Sequence, residues 1–157
     1  LVRVIAGEIA GHAGPGSTYS PMTLVHATLS PGARLALPWR PDYNALVYVM
    51  AGQGSVGNDD RPIGTGQLAV LGPGDALVVA ASPQQEQRSP SMDILILGGR
   101  PIREPVAWMG PFVMNTREEV LQAVADYQAG RLGSIPAVHN TPTTLIQTDR
   151  PTAGDPV

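Results

Sequence analysis

Residues 35–54, "LALPWRPDYNALVYVMAGQG", carry an apolar run between a proline-containing approach and a glycine corner. "NALVYVM" is rich in β-branched and aromatic residues and is bounded by Pro41-Asp42 on one side and Gly52-Gln53-Gly54 on the other, so it reads as a strand closed by a turn. Moving outward, the same texture recurs from Val2 to about Leu97. The runs "VRVIAGEI", "TLVHATL", "GSVG", "QLAVL", "ALVVAA" and "MDILILG" alternate with "SPGA", "GNDDRPIG", "GPGD" and "ASPQQEQRSP". Glycines at the 52–54 and 72–74 corners allow positive φ, Pro73 presets a turn, and "GNDD" reads as a hairpin tip. Short strands at this spacing predict an all-β sandwich or barrel.

Composition agrees. The 157 residues include 18 glycines and 16 prolines against 4% aromatic residues, a balance that favours many turns and short elements over a helical bundle. One sizeable core is within reach of a chain that is 43% hydrophobic. The net charge is −3 with Lys and Arg scattered, so direct nucleic-acid binding is not expected. No run approaches the roughly 20 apolar residues of a membrane span, and no signal peptide is evident. The absence of cysteine removes disulfides, thiolate nucleophiles and Cys-ligated zinc. A cytoplasmic location is the expectation. The start "LVRVIAGE", apolar and without methionine, is read as a fragment, a processed product or a trimmed chain.

The opening stretch can be laid over the two motifs of the cupin superfamily, whose barrels hold a metal through three His and one Glu. The first motif is Gly, five residues, His, one, His, four, Glu, six, Gly; here Gly32 and Gly52 fit, while Pro38, Arg40 and Ala45 occupy the ligand positions. The second runs from Gly66 through Gly72, in place of a proline, and Gly74 to Leu77, where the last His belongs. Three apolar residues and an always-charged guanidinium provide no donor for a divalent ion.

The tail carries a more specific likeness. "GGRPIREPVAWMGPFVMNTREEVLQAVADYQAGRLG", residues 98–133, closely resembles the end of pirin family proteins, with its "REPV" and "GPFVMNT" elements, and "VRVIAGE" is similar to the opening of the second half of a pirin. The resemblance implies a cupin double-stranded β-helix, a jelly-roll barrel, with one C-terminal α-helix. It further implies the C-terminal half of a bicupin. Iron or another divalent metal would then sit in an N-terminal half that lies outside this chain, and no catalytic, cofactor-binding or metal residue carries over. Some family members open quercetin with dioxygen, and others act as co-regulators that bind a partner protein. The implied partners are therefore an N-terminal cupin half or another protein, with homodimer formation through the arm left open.

By residues, the chain divides into a barrel over 1–99, an extended arm plus helix over 100–133, and an irregular or disordered tail over 134–157. Pro101, Pro105 and Pro111 exclude a regular helix from "RPIREPVAWMGPFVMN", whose Val106, Trp108, Met109, Phe112, Val113 and Met114 need a covering surface. A capping box of Thr116 and Glu119 starts a helix over about 117–129; Val120, Val124 and Tyr127 form its stripe with Leu121 beside it, and Gly130 stops it. Arg103, Glu104, Trp108, Phe112 and Met114 are candidate docking residues. For Glu104 the plain alternative is an ion pair with Arg100 or Arg103, or contact with solvent.

Trp39, Arg40 and Tyr43 are candidate rim residues for a small planar ligand. Aromatics at a strand end also serve as core caps, and Arg40 points inward only if the motif's register holds, otherwise lying on the rim. In that register Val47 and Val49 follow Ala45 inward, and Val79 and Ala81 follow Leu77, which predicts a filled, dry cavity. His12, His26 and His139 form no ligand spacing, and no G-x-S-x-G elbow accompanies Ser17 or Ser20.

Overall fold

The structure, a computed structural model, describes residues 1–86 and 88–135. The expected irregular tail and His139 lie outside the described residues, apart from Ser134 and Ile135. The strands are β1 (Val2–Ala6), β2 (Glu8–Ile9), β3 (His12–Ala13), β4 (Met22–Leu29), β5 (Arg34–Pro38), β6 (Asn44–Ala51), β7 (Gln53–Val56), β8 (Arg61–Gly64), β9 (Leu68–Leu71), β10 (Ala76–Ala81), β11 (Met92–Gly99), β12 (Ala107–Met109) and β13 (Phe112–Met114), followed by helix α1 (Arg117–Gln128). Two units separate after Arg103. No helix among the described residues is long and apolar enough to cross a membrane.

The first unit is a cupin-type barrel of two antiparallel sheets, in the orders β1-β4-β11-β6-β9 and β5-β10-β7-β8, with a small β2-β3 hairpin beside them. Period-two burial explains the assembly. In β4, Val25, Ala27 and Leu29 face in; in β11, Met92, Ile94 and Ile96; in β6, Ala45, Val47 and Val49; and in β10, Leu77, Val79 and Ala81. Cross-strand registers agree, for Ile94 lies opposite both Ala27 and Val49, and Ile96 opposite Val25 and Val47. Each fully buried Val, Leu or Ile contributes about 1.5–3 kcal/mol relative to exposure, so this cluster is the barrel's main stabilising term. The inward set expected for β6 and β10 is the one observed.

The structure refines the sequence reading at three places. Strand β8 lies inside the stretch read as a turn, because Ile63 inserts into the core and draws "RPIG" alongside Gln53–Val56. Of the four corner glycines only Gly52 has a positive φ, at 85°. Gly54 is needed for close approach instead, since a Cβ there would lie 2.0 Å from the Ala80 carbonyl oxygen. Finally, β5 is a full strand pairing with β10, and its register differs from the motif overlay, with consequences for Pro38 and Arg40.

The second unit, from Glu104, holds β12, β13 and α1. The proline-ruled arm forms a tight hairpin across Gly110-Pro111, with Ala107 opposite Met114 and Met109 opposite Phe112. Gly110 has φ 57°, the requirement at the first central position of a type II′ turn. Thr116 and Glu119 form the expected capping box, with Thr116 Oγ1 accepting from the Glu119 amide at 3.2 Å and Glu119 Oε2 accepting from the Thr116 amide at 2.9 Å. At the other end Ala129 is the C-cap, and the Gly130 and Arg131 amides donate to the Tyr127 and Asp126 carbonyls. That pairing is a Schellman motif, with Gly130 in its left-handed position. The buried stripe is Val120 and Ala123, not Val120 with Tyr127; Tyr127 stays exposed and meets the Phe112 ring at 6.0 Å.

Thr116→Ala should lower helix stability by about 1 kcal/mol, read as a loss of helical circular dichroism at lower temperature than in the parent. Gly98→Ala should cost the barrel about 1–3 kcal/mol or more through overpacking, because its Cβ would lie 2.0 Å from the Asn44 carbonyl oxygen and 2.5 Å from Trp39 Cζ2; urea unfolding measures the difference.

Candidate functional site

The expected rim residues converge at one end of the barrel. Trp39, Arg40 and Tyr43 follow β5 and, with Glu8, Ile9 and Thr23, line a cavity of about 430 Å³. Their roles differ. Trp39 is 8% exposed, its Nε1 is buried and meets no acceptor among the described residues, and its benzene edge lies over Gly98. Tyr43 is half-buried and packs against the core. Arg40 is exposed and points outward.

That placement corrects the motif overlay. Along β5 and its flanking residues, Ala33, Leu35, Leu37 and Trp39 face the core, while Pro38 and Arg40, at the two His positions, face away. Pairing with β10 sets this parity, because Leu37 lies opposite the buried Leu77 and Leu35 opposite the buried Val79. Residues directly opposite across an antiparallel pair share a face. Counting from Gly32 preserved the spacing but not the parity, and burial of two leucines and an indole decided it.

Arg40 binds its near neighbour. Its Nε donates to Asp42 Oδ1 and its Nη2 to Asp42 Oδ2, both at 3.1 Å, and its guanidinium lies 4.8 Å from the Tyr43 ring centre. The fork geometry satisfies both carboxylate oxygens while the plane rests on an aromatic face. The hydrogen bond from Arg40 holds the Asp42 carboxyl below its usual range, and the same bond raises Arg40. An anionic ligand would have to compete with Asp42 for this guanidinium.

At the other two ligand positions, Ala45 and Leu77 are buried in the core. Gly98 lies opposite Ala45 across the β6-β11 pair, so the indole over Gly98 occupies the mouth beside that position. Neither the two buried side chains nor the two outward ones can supply a metal donor, and the residues present do not fit the metal of a cupin centre. Among the described residues, no three His, Asp or Glu side chains are grouped for metal binding. His12 lies on β3 with Nδ1 2.9 Å from the Ala10 carbonyl oxygen, and His26 lies on β4 with Nε2 3.6 Å from Asp93 Oδ1.

The candidate docking residues divide. Arg103 closes the first unit, exposed, at φ 58°. Glu104 is exposed to solvent, one of the expected alternatives, and accepts from the Asn115 side-chain amide at 2.9 Å, while the same amide donates to the Pro105 carbonyl at 3.0 Å. Trp108 is 76% exposed and shares the hairpin's outer face with its cross-strand partner Val113. Phe112 is half-buried, in contact with Tyr127, and Met114 is exposed. Sequence reasoning missed Glu8, Ile9 and Thr23 as cavity neighbours of Trp39. Thr23 Oγ1 donates to the Glu8 carbonyl at 3.3 Å, a contact between strands that no local pattern announces.

Residues 24–133 match the family described as the pirin C-terminal cupin domain. The chain belongs to the pirin family. This pirin domain is 37% identical over 133 residues to a pirin-like protein of Solanum lycopersicum, covering 84% of this chain and 44% of that protein. It is 35% identical over 135 residues to the pirin of Homo sapiens, again covering 84% and 44%. Among solved structures, a quercetin 2,3-dioxygenase from Acinetobacter baumannii matches with a TM-score of 0.75 at 33% identity, over 86% of this chain and 44% of that one. The chain thus spans less than half the length of these relatives.

Arg40→Gln should move the Asp42 titration upward toward the ordinary carboxylate value of 3.8, because the bond that favours its ionised form is gone. Carbon-13 NMR of the Asp42 carboxyl checks it. An unchanged titration would show that the pair does not hold in solution.

Proposed function

We propose that this chain is the metal-free C-terminal half of a pirin-like bicupin and acts as the structural and docking half beside a metal-binding N-terminal cupin. The observation that carries the reading is the filled barrel: Ala45 and Leu77 at two ligand positions are core residues, Trp39 lies across the mouth, and Pro38 and Arg40 point away. A barrel without donors retains its scaffold use, because the turn glycines and the apolar faces serve folding rather than a metal.

In this reading the chemistry belongs to the whole protein. The likeness to a protein named as a quercetin 2,3-dioxygenase supports a dioxygenase for the parent, with iron or another divalent metal in the N-terminal half and a cytoplasmic setting. Docking falls to the exposed residues near the boundary and on the hairpin, Arg103, Glu104, Trp108 and Met114, with Phe112 supporting the hairpin from its inner face. A second reading, a protein-interaction module of the co-regulator kind, is favoured by the outward Trp108 and Val113 pair, which presents an aromatic anchor of the sort enriched at interfaces.

The test is elemental analysis of the purified chain after loading with iron and removal of loosely bound ion. Substoichiometric metal is expected. One tightly held ion per chain would overturn the reading and reopen catalysis within this barrel.

A further inference from the structure

The cavity at the barrel mouth keeps two buried polar groups short of partners. Trp39 and Ile9 belong both to the core cluster and to the cavity wall, so the barrel below is filled while this end stays open. Trp39 Nε1 is buried and meets no acceptor among the described residues. Thr23, 4% exposed and on the same wall, donates to the Glu8 carbonyl at 3.3 Å, well beyond the roughly 2.7–2.8 Å usual for a hydroxyl donor. Buried polar groups are nearly always satisfied, and two that are not, on one cavity wall, mark where a polar guest is held.

Gly98 places both groups at one corner of the cavity. Trp39 Cζ2 lies 2.5 Å from where a Gly98 Cβ would be, and the ring carbon that bears Cζ2 also bears Nε1, so the N–H edge of the indole is the one beside this glycine. Thr23 is the direct partner of Gly98 across the β4-β11 pair, and its side chain is buried on the inward face of β4 with Val25. Pro38 and Tyr43 add apolar wall on which a flat ring can rest. The charged lining groups are the exposed Glu8 carboxylate and Arg40, whose guanidinium is already forked onto Asp42. An anion would find no free cation among these lining residues and would meet Glu8. At about 30 Å³ for each water-sized atom, the space of about 430 Å³ takes roughly a dozen non-hydrogen atoms, a single substituted ring.

We infer that this cavity binds a small, uncharged, single-ring aromatic compound whose carbonyl oxygen accepts from Trp39 Nε1 and Thr23 Oγ1 and whose hydroxyl donates to the Glu8 carboxylate. The site uses no metal and gives the barrel a role beyond scaffold and docking. Trp39 Nε1 is sealed from solvent, so the guest's oxygen reaches it as the β2-β3 hairpin moves outward. Two features ease that movement. The hairpin's strands have two residues each, and its turn holds Ala10 at φ 50°, a left-handed conformation unfavourable for alanine. The long bond from Thr23 to Glu8 is the link that the guest carbonyl replaces.

The experiment titrates the nitrogen-15-labelled chain with 4-hydroxybenzamide and follows its two indole N–H resonances, which Trp108→Phe assigns by deleting one. The expected result is a saturable downfield shift of the Trp39 resonance, as its N–H gains an acceptor, while that of Trp108, 76% exposed, does not move. 4-Hydroxybenzoate has the same shape with a negative charge and should bind at least roughly tenfold more weakly; Glu8→Gln should narrow that gap. Trp39→Phe keeps a ring and removes the N–H, and should weaken binding of the amide about tenfold, read by saturation-transfer NMR. Should that variant not fold, Thr23→Val, which keeps the shape and removes the hydroxyl, carries the same comparison. A Trp39 resonance that stays in place up to the solubility limit of the amide overturns the inference. So does equal affinity for amide and benzoate, or unaltered affinity in a folded Trp39→Phe or Thr23→Val chain.

Discussion

The Trp39 indole lying over Gly98 is the contact on which the barrel's character depends. Gly98 lacks the Cβ that would collide with Trp39 Cζ2, and it sits opposite Ala45, so a large aromatic fits at the mouth beside a former ligand position. With Trp39 turned inward, two-residue alternation turns Leu37 inward and Pro38 and Arg40 outward. Arg40 then stands on the rim with Asp42 and Tyr43, where a guanidinium needs no burial. One packing choice thus fills the former ligand position with apolar side chains and sets the cation on the rim.

The two sheets that enclose this core have unequal outer faces. The four-stranded sheet carries mostly small and polar residues outside, with Val78 among them, while the five-stranded sheet carries apolar residues on both sides of β4, β6 and β11. An apolar outer face adds nothing to the barrel's own core, and its stabilising value lies in whatever covers it. In the second unit, α1 covers the Phe112 side of the hairpin and leaves the Trp108 side outward. Each unit therefore keeps one apolar face for itself and presents another.

The all-β class, most of the strands, the inward sets of β6 and β10, and the capped helix were legible because each rests on local chemistry: period-two alternation, Gly and Pro at corners, Thr116 and Glu119 at a helix start. The capping box needs only three residues of separation to be read. Strand β8 was not legible, since "GNDDRPIG" has the composition of a turn and becomes a strand only because Ile63 finds the core. The stripe of α1 was read partly wrong for a related reason: Val120 and Tyr127 share a helical face, yet the small hairpin covers Val120 and Ala123 and leaves the outer edge of Tyr127 in water.

By itself the sequence determined that this chain forms a cupin-like barrel and that the four ligand positions lack metal donors, because both depend on residue identity and spacing along the chain. The tertiary structure decided which way those positions face. Pro38 and Arg40 point outward because cross-strand pairing of Leu35 and Leu37 with Val79 and Leu77 outweighs any parity counted from a distant glycine. It likewise brought Glu8, Thr23 and Trp39 around one cavity, and gathered leucines from three strands and a valine from a fourth into one row. Such neighbourhoods arise only when distant segments pair, and the energy that selects the pairing is the burial of side chains that no local window contains together.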